Sequence, residues 1–348
     1  MDISLKMFLL AVEEMSFTKA ACRAFVTQQC LSFHIKKLEA EYDVKLFERT
    51  PRLRLTSAGE SLCSSLRQLQ IAESAMIERL SDIKNGLRGN IILGINATRA
   101  RVFLPDLFTE YHQHFPLVKL SIILDDMCNL APKLLNGKID MFLGIDCIAN
   151  NDFNVLSLGN DEIFFVATET MLQKFAVSSD AYKQTISSYE IDLLQFPNLP
   201  FAGNYAGSAF NNLVKKYLDS LNIQQEVIFS VSDYELQIEL CARNHLVAFC
   251  PKTVLNKVIE QNSKNAYDKP LQVFKPRGMK DFFRIDLITH KNAYQPHYAK
   301  EFIRLLQKHM HKHDQFVQIN CPATSNAKQK KRNCPRIHNA GVLTSSSL

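Results

Sequence analysis

The stretch FVTQQCLSFHIKKLE, Phe25 to Glu39, carries the side chains in this chain best suited to recognition chemistry. On a helix turning about 100° per residue, Leu31, Ile35 and Leu38 gather on one narrow apolar face. Gln29, Phe33 and Lys36 then lie opposite, with Gln28 and Ser32 on the flank. Glutamine pairs in bidentate fashion with adenine N6 and N7, serine bonds either base edge, an apolar group meets a thymine methyl, and lysine reaches a phosphate. Thr27 is placed to cap the first turn, leaving backbone N–H groups directed at an anion. A helix of this kind, entered from TKAACRAFV and a short turn, has the helix-turn-helix arrangement, whose second helix enters the major groove. A solvated surface helix would also account for Gln and Lys, but an outward Phe33 is what that alternative explains least well.

The elements that must hold this helix follow from periodicity. Met7, Leu10, Ala11 and Met15 form one helical apolar stripe, and Ala20, Ala21, Ala24 and Phe25 a second, with Ser16 and Thr18 as N-cap candidates. Val44 to Phe47 and Leu53 to Leu55 flank ERTPRLR and predict a small two-stranded wing, because Pro51 stops a helix. From Ser57 to about Asn85, Leu62, Leu66, Leu69, Ala72, Met76, Leu80 and Ile83 step by four or three, a stripe suited to a seam between two chains or to packing on its own domain. Asn85, Gly86 and Gly89 then predict a hinge.

Beyond the hinge, strand-like runs alternate with helical ones: NIILGI, VKLSIIL and IDMFLGI first, then EIFFVAT, LPFAG, EVIFSV, LVAFC and RIDLIT. The pattern predicts two α/β units with parallel sheets covered on both faces. Asn244 is the expected left-handed residue between a helix at 234–242 and LVAFC. The expected division is 1–60 for the helix-turn-helix, 61–88 for the long helix and hinge, and 89–312 for the α/β half. That half splits into 89–161 with 273–312, and 162–272, and the segment 313–348 is expected to be a basic, disordered tail.

Composition excludes several classes of function. With 348 residues, 46% hydrophobic and 22% charged, the chain reads as multidomain and globular, without the roughly 20 apolar residues of a membrane span. No signal peptide is recognised at the N-terminus, which points to the cytoplasm and away from membranes. Nine scattered cysteines without CxxC spacing argue against disulfides and zinc. The net charge of +6 is accounted for from Lys308 onward, where seven basic residues face Asp314 alone, so global charge says little about partners. No GxSxG, HExxH, GxGxxG or GxxxxGK occurs, and neither an enzyme, a metal nor a cofactor is expected. Cys241 and Cys250 keep a redox-sensing alternative open, although both read as apolar-facing.

The run from Phe8 to Glu60 closely resembles the winged helix-turn-helix of the LysR-type transcriptional regulators, through SFTKAA, VTQ, LS, IKKLE, LFERT and LTSAGE. The resemblance continues more loosely to about Met310 in GNIILGI, LPDLFTEYHQHFP, LNGKIDMFLGI and LVAFCP. Met15 and Asp43 stand where the family usually has glycine, and Gln29 and Phe33 depart from it on the outward helix face. The resemblance implies a dimerising linker helix and an effector-binding domain of two α/β subdomains similar to periplasmic binding proteins. It implies promoter DNA, a small-molecule effector and the chain's own copies, as homodimer or homotetramer, as partners, with RNA polymerase a further candidate. The DNA-contacting set is then Thr18, Thr27, Gln28, Gln29, Ser32, Phe33, Lys36, Arg49 and Arg52. Ligands of open α/β sheets bind beyond the carboxyl ends of strands, so Asn96, Ala97, Thr98, Arg99, Asp146, Asn204 and Ser208 are the expected contacts of an anionic effector between the subdomains.

Overall fold

In the computed structural model of this chain the described residues are 2–324 apart from 49, 51, 86–87, 149, 206, 225–226 and 265–269; the side chains of 78–79 and 81–85 also lie outside the description. The chain divides into two units. The first takes the chain up to Ala100, Pro105–Leu158 and Ile285–Leu306, and the second takes Arg101–Leu104, Gly159–Arg284 and the chain from Gln307.

The first unit opens with three helices, α1 (Ile3–Glu14), α2 (Phe17–Arg23) and α3 (Gln28–Glu41). Each begins where a short polar side chain accepts a backbone N–H: Asp2 from Ser4 at 3.1 Å, Ser16 from Lys19 at 3.4 Å, and Thr27 from Cys30 at 3.2 Å. Phe8, Ala11, Ala20, Ala21, Leu31, Ile35 and Leu38 bury together with Phe47. The wing is present as β1 (Phe47–Glu48), antiparallel to β2 (Arg54–Leu55).

Phe25 corrects the second apolar stripe. It is 96% exposed, because the backbone leaves the helix after Ala24 and Phe25 takes φ 56° in the turn. Met15 (φ 45°) and Asp43 (φ 51°) are left-handed as well, at the two positions where glycine was the family's usual residue. Met15→Gly should therefore stabilise the winged domain by about 1 kcal/mol, since relief of a left-handed non-glycine backbone outweighs the entropy glycine adds to the unfolded chain. Chemical denaturation of the two proteins checks it.

The long helix α4 spans Ser57–Asn85. Thr56 starts it, its hydroxyl accepting the Gly59 N–H at 3.0 Å and donating to the Lys45 carbonyl at 2.6 Å. Gly59 is required there, since a Cβ would sit 2.2 Å from the Leu46 carbonyl oxygen. The expected stripe splits: Leu66 is buried in the winged domain with Leu62 against it, whereas Leu69, Ala72, Met76 and Leu80 are exposed. The Ile83 side chain and Gly86 of the hinge lie outside the described parts.

The α/β part of the first unit runs β3 (Gly89–Ile95), α5 (Ala97–His114), β4 (Val118–Leu124), α6 (Met127–Leu135) and β5 (Met141–Ile145), and β6 (Phe153–Thr168) then passes into the second unit. The second unit adds α7 (Glu169–Phe175), α8 (Ser179–Ser188), β7 (Glu190–Ile191), β8 (Phe201–Gly203), α9 (Ala209–Ser220) and β9 (Val227–Ser230). It continues through α10 (Tyr234–Ala242), β10 (Val247–Pro251), α11 (Leu255–Ser263) and β11 (Leu271–Pro276). Strand β12 (Phe282–His290) returns to the first unit, and α12 (His297–Asn320) leaves it again. Asn244 adopts φ 60° as expected.

The sheets are mixed rather than parallel. In the first unit β3 runs parallel to β4 and β5, but β12 is antiparallel to β5; in the second β8 is parallel to β9 and β10, but β6 is antiparallel to β10 and β11. The unit borders fall at 158/159 and 284/285 instead of 161/162 and 272/273. The expected border at 272 would cut β11, whose Leu271 to Phe274 pair with β6. The expected start of a disordered tail at His313 is also corrected, because α12 continues to Asn320, and Val317, Cys321 and Ala323 join the buried core of the second unit. Among the described residues no helix is long and apolar enough to cross a membrane.

Candidate DNA-reading surface and effector residues

Leu31, Ile35 and Leu38 seat α3 on α1 and α2, which leaves the opposite face open. Gln28, Gln29 and Lys36 are exposed there, Phe33 is 65% exposed, and Ser32 is half-buried. Thr27 caps α3 immediately before Gln28 and Gln29, its hydroxyl accepting the Cys30 N–H. Thr18, near the start of α2, and Arg52, before β2, are exposed; Arg49 lies outside the described residues.

Several positioning groups were not singled out from the sequence. Buried Glu39 accepts the Leu46 N–H at 2.9 Å and faces the Lys45 ammonium at 3.6 Å, so the end of α3 holds the approach to the wing. His34 Nδ1 and the Ser4 hydroxyl are 3.0 Å apart, fastening α3 to α1. Arg23 donates to Glu13 and Glu14 at 2.7 and 2.9 Å, locking α2 to the end of α1. The motifs IKKLE and LTSAGE contain Glu39, Thr56 and Gly59, but their partners appear only once the wing has folded.

The effector candidates fall into groups. In the first unit Asn96, Ala97, Thr98 and Arg99 share the first turn of α5 after β3. Asn96 is the cap, its Oδ1 accepting the Arg99 N–H at 2.9 Å. Thr98 is half-buried and Arg99 buried. Asp146 follows β5 in a left-handed turn (φ 45°), and the next residue, Cys147, donates its N–H to Asp286 of β12 at 3.0 Å. Since β3 and β5 are parallel neighbours, both loops leave the same end of that sheet.

In the second unit Ser208 caps α9, accepting the Asn211 N–H at 3.0 Å. Asn204 is buried in a polar knot: its Nδ2 donates to the Tyr234 hydroxyl at 2.8 Å and its Oδ1 accepts from Gln237 at 3.2 Å. That amide fastens the end of β8 to α10. Arg101, two residues after Arg99, is engaged by Asp233 at 2.8 Å, which also caps α10. Burial works to raise the Asp233 carboxyl, but the Arg101 hydrogen bond and the Leu236 and Glu235 amides outweigh it and hold it below the usual carboxylate range.

Cys241 and Cys250 are buried beside Cys321 in the second unit's core. Burial pushes all three thiols up, Cys321 to about 11, so the nucleophilic thiolate is scarce. Among the described residues no group of three or more His, Cys, Asp or Glu is placed to hold a metal.

A winged helix-turn-helix followed by a 29-residue helix and two α/β units defines a class of regulatory architecture. Residues 4–60 match the bacterial regulatory helix-turn-helix protein model of the lysR family, and residues 84–311 match the LysR substrate binding domain. The chain belongs to the LysR family. It is 35% identical over 138 residues to the HTH-type transcriptional regulator AlsR of Bacillus subtilis, covering 39% of this chain and 46% of AlsR. The chain spans about half the length of the first curated relatives it matches, 58%, 46% and 44%. A full-length OxyR variant from Pseudomonas aeruginosa has the same fold, with TM-score 0.60 and 19% identity over 88% of this chain and 93% of that one. Full-length CbnR in complex with its target DNA superposes with TM-score 0.52 and 17% identity over 88% of this chain and 98% of that one.

Proposed function

We propose that this protein is a transcriptional regulator that reads promoter DNA in the cytoplasm through α3 and answers to a small anionic effector. The observation that carries the reading is the outward face of α3: Gln28, Gln29, Phe33 and Lys36 stand open above a fully buried Leu31–Ile35–Leu38 seam. An exposed phenylalanine between hydrogen-bonding side chains suits base edges better than water. Arg52 and the residue Arg49 supply phosphate contacts in this reading.

Pairing of two chains through the exposed Leu69, Met76 and Leu80 of α4 would present two copies of α3 to a two-fold site. The helix starts at Asn96 to Arg99 and at Ser208 suit a carboxylate, and Asp146 adds selectivity at the end of β5. Effector binding changes the placement of the DNA-bound helices, and contact with RNA polymerase converts that into altered transcription. Regulation by binding, with no catalysis, is the activity proposed.

Selection of the full chain against a random pool of DNA duplexes tests the reading. A two-fold symmetric site should emerge whose affinity falls steeply with salt. Failure to enrich any sequence at low salt would overturn it.

A further inference from the structure

The first unit contains a cavity of about 280 Å³ that the DNA-reading and effector residues do not use. One wall is α4, through Ile71 and Ala75, which are buried there, and Gln70 and Ser74, which are not. The opposite wall is the α/β part of the same unit, including Asp140 before β5, His290 at the end of β12 and Tyr298 at the start of α12.

The polar groups of this wall select a charge. No lysine or arginine is among its described lining residues. His290 is buried and neutral: burial lowers it, and its Nδ1 accepts the Asn292 N–H at 3.1 Å. Asp140 lines the cavity while keeping surface open to solvent. One of its oxygens accepts the Ile92 N–H at 2.7 Å, and burial still pushes the carboxyl above its usual range. An anion would meet that carboxyl directly, and an uncharged apolar guest would leave it desolvated. An ammonium both pairs with it and gains from aromatic rings, of which Tyr294 and Tyr298 line the cavity. The volume limits the guest to about one ring.

We propose that this cavity is a second small-molecule site, for a single-ring organic ammonium, that ties α4 to the body of the first unit. The charge it selects is opposite to that of the effector proposed for the helix starts, so the two sites do not compete. Its regulatory consequence rests on the DNA-binding reading, because a guest touching both α4 and the α/β wall favours the arrangement in which they are in contact. Binding itself does not depend on that reading.

Isothermal titration of the full chain with benzylamine, benzyl alcohol and benzoate separates the terms. Benzylamine should bind at one site per chain, and the other two at least tenfold more weakly. Asp140→Asn keeps an acceptor for the Ile92 N–H and should weaken benzylamine at least tenfold. Ser74→Trp, a change at an exposed position of α4, should abolish binding by filling the space, with circular dichroism confirming the fold of both variants. Absence of saturable benzylamine binding, equal binding of benzoate, or binding that survives both substitutions would each overturn the site. Because the readout uses no DNA, failure here leaves the DNA-binding reading standing, and failure of that reading leaves this result intact.

Discussion

A chain ended after Lys312 should lose about 5 kcal/mol of stability in its second unit, while a chain ended after Thr324 should keep it. The difference lies in three buried residues and one ion pair. Val317 has no exposed surface, and Cys321 and Ala323 pack with it beside Cys241 and Cys250. Burying a valine alone contributes about 1.5–3 kcal/mol, and removing it also uncovers the apolar neighbours it rests on. Asp314 holds the Lys252 ammonium at 2.8 Å, and the Lys252 side chain is only 9% exposed. Taking the carboxylate away leaves a largely desolvated cation, at a cost near the lower end of roughly 3–5 kcal/mol because Asp314 itself is partly in water. The Thr324 hydroxyl donates to the Cys321 carbonyl at 2.8 Å and closes the segment. A loss of about 5 kcal/mol should lower the melting temperature by roughly 10 to 20 °C for a unit of this size. Calorimetry of both truncations, with amide exchange followed in α10 and β10, checks the value and the place. Equal melting of the two would mean that the segment merely rests on the core.

Why this segment was misplaced from sequence shows where periodicity stops being informative. Between His313 and Pro322 the apolar residues are few: Phe316, Val317, Ile319 and Cys321. In the fold Val317 and Cys321 are buried, whereas Phe316 and Ile319 are exposed, so composition alone would select the wrong pair. The deciding surface comes from β10, α10 and β11, residues remote in sequence. Asn204 is similar, since its hydrogen-bond partners Tyr234 and Gln237 stand 30 and 33 residues later. A free amide next to a strand end and one already engaged look alike in the linear chain.

Local features were legible because their physics is local. The N-caps Ser16 and Thr27 and the exit at Asn244 each depend on a few neighbouring backbone groups, and each is found. The α/β character followed from the alternation of apolar runs, but strand direction did not. Strand β12 pairs antiparallel with β5 across some 140 residues, a partner that no local pattern announces. Phe25 failed for another reason. A helical period treated it as a core residue, whereas the chain leaves the helix one residue earlier and turns it into water.

The recognition helix yields the other large effect, because its outward residues should separate into two energetic kinds. Gln28, exposed beside the Thr27 cap, is placed at the end of α3 that meets base edges in helix-turn-helix docking. Gln28→Ala should cost about 1–3 kcal/mol at one base-pair position of each half-site, some five- to 150-fold in affinity, and leave binding to a site altered at that base unchanged. Lys36, two turns further along on the exposed face, lies toward the other end of the helix and carries only a point charge. Lys36→Ala should weaken all duplexes alike and reduce the slope of log affinity against log salt by about 0.9 for each helix on the DNA. Neither side chain belongs to the buried seam, so thermal unfolding of both variants should match the parent, whereas Leu31→Ala would lower it by roughly 2–5 kcal/mol. Competition binding over a salt series, with the selected duplex and its single-base variants, distinguishes the two. If Gln28→Ala changed the salt slope and Lys36→Ala relaxed the base preference, the helix would lie in the groove with its ends exchanged. Phe33, set between them on the same face, would then contact a different base step, and the polarity of α3 on the DNA would have to be reversed.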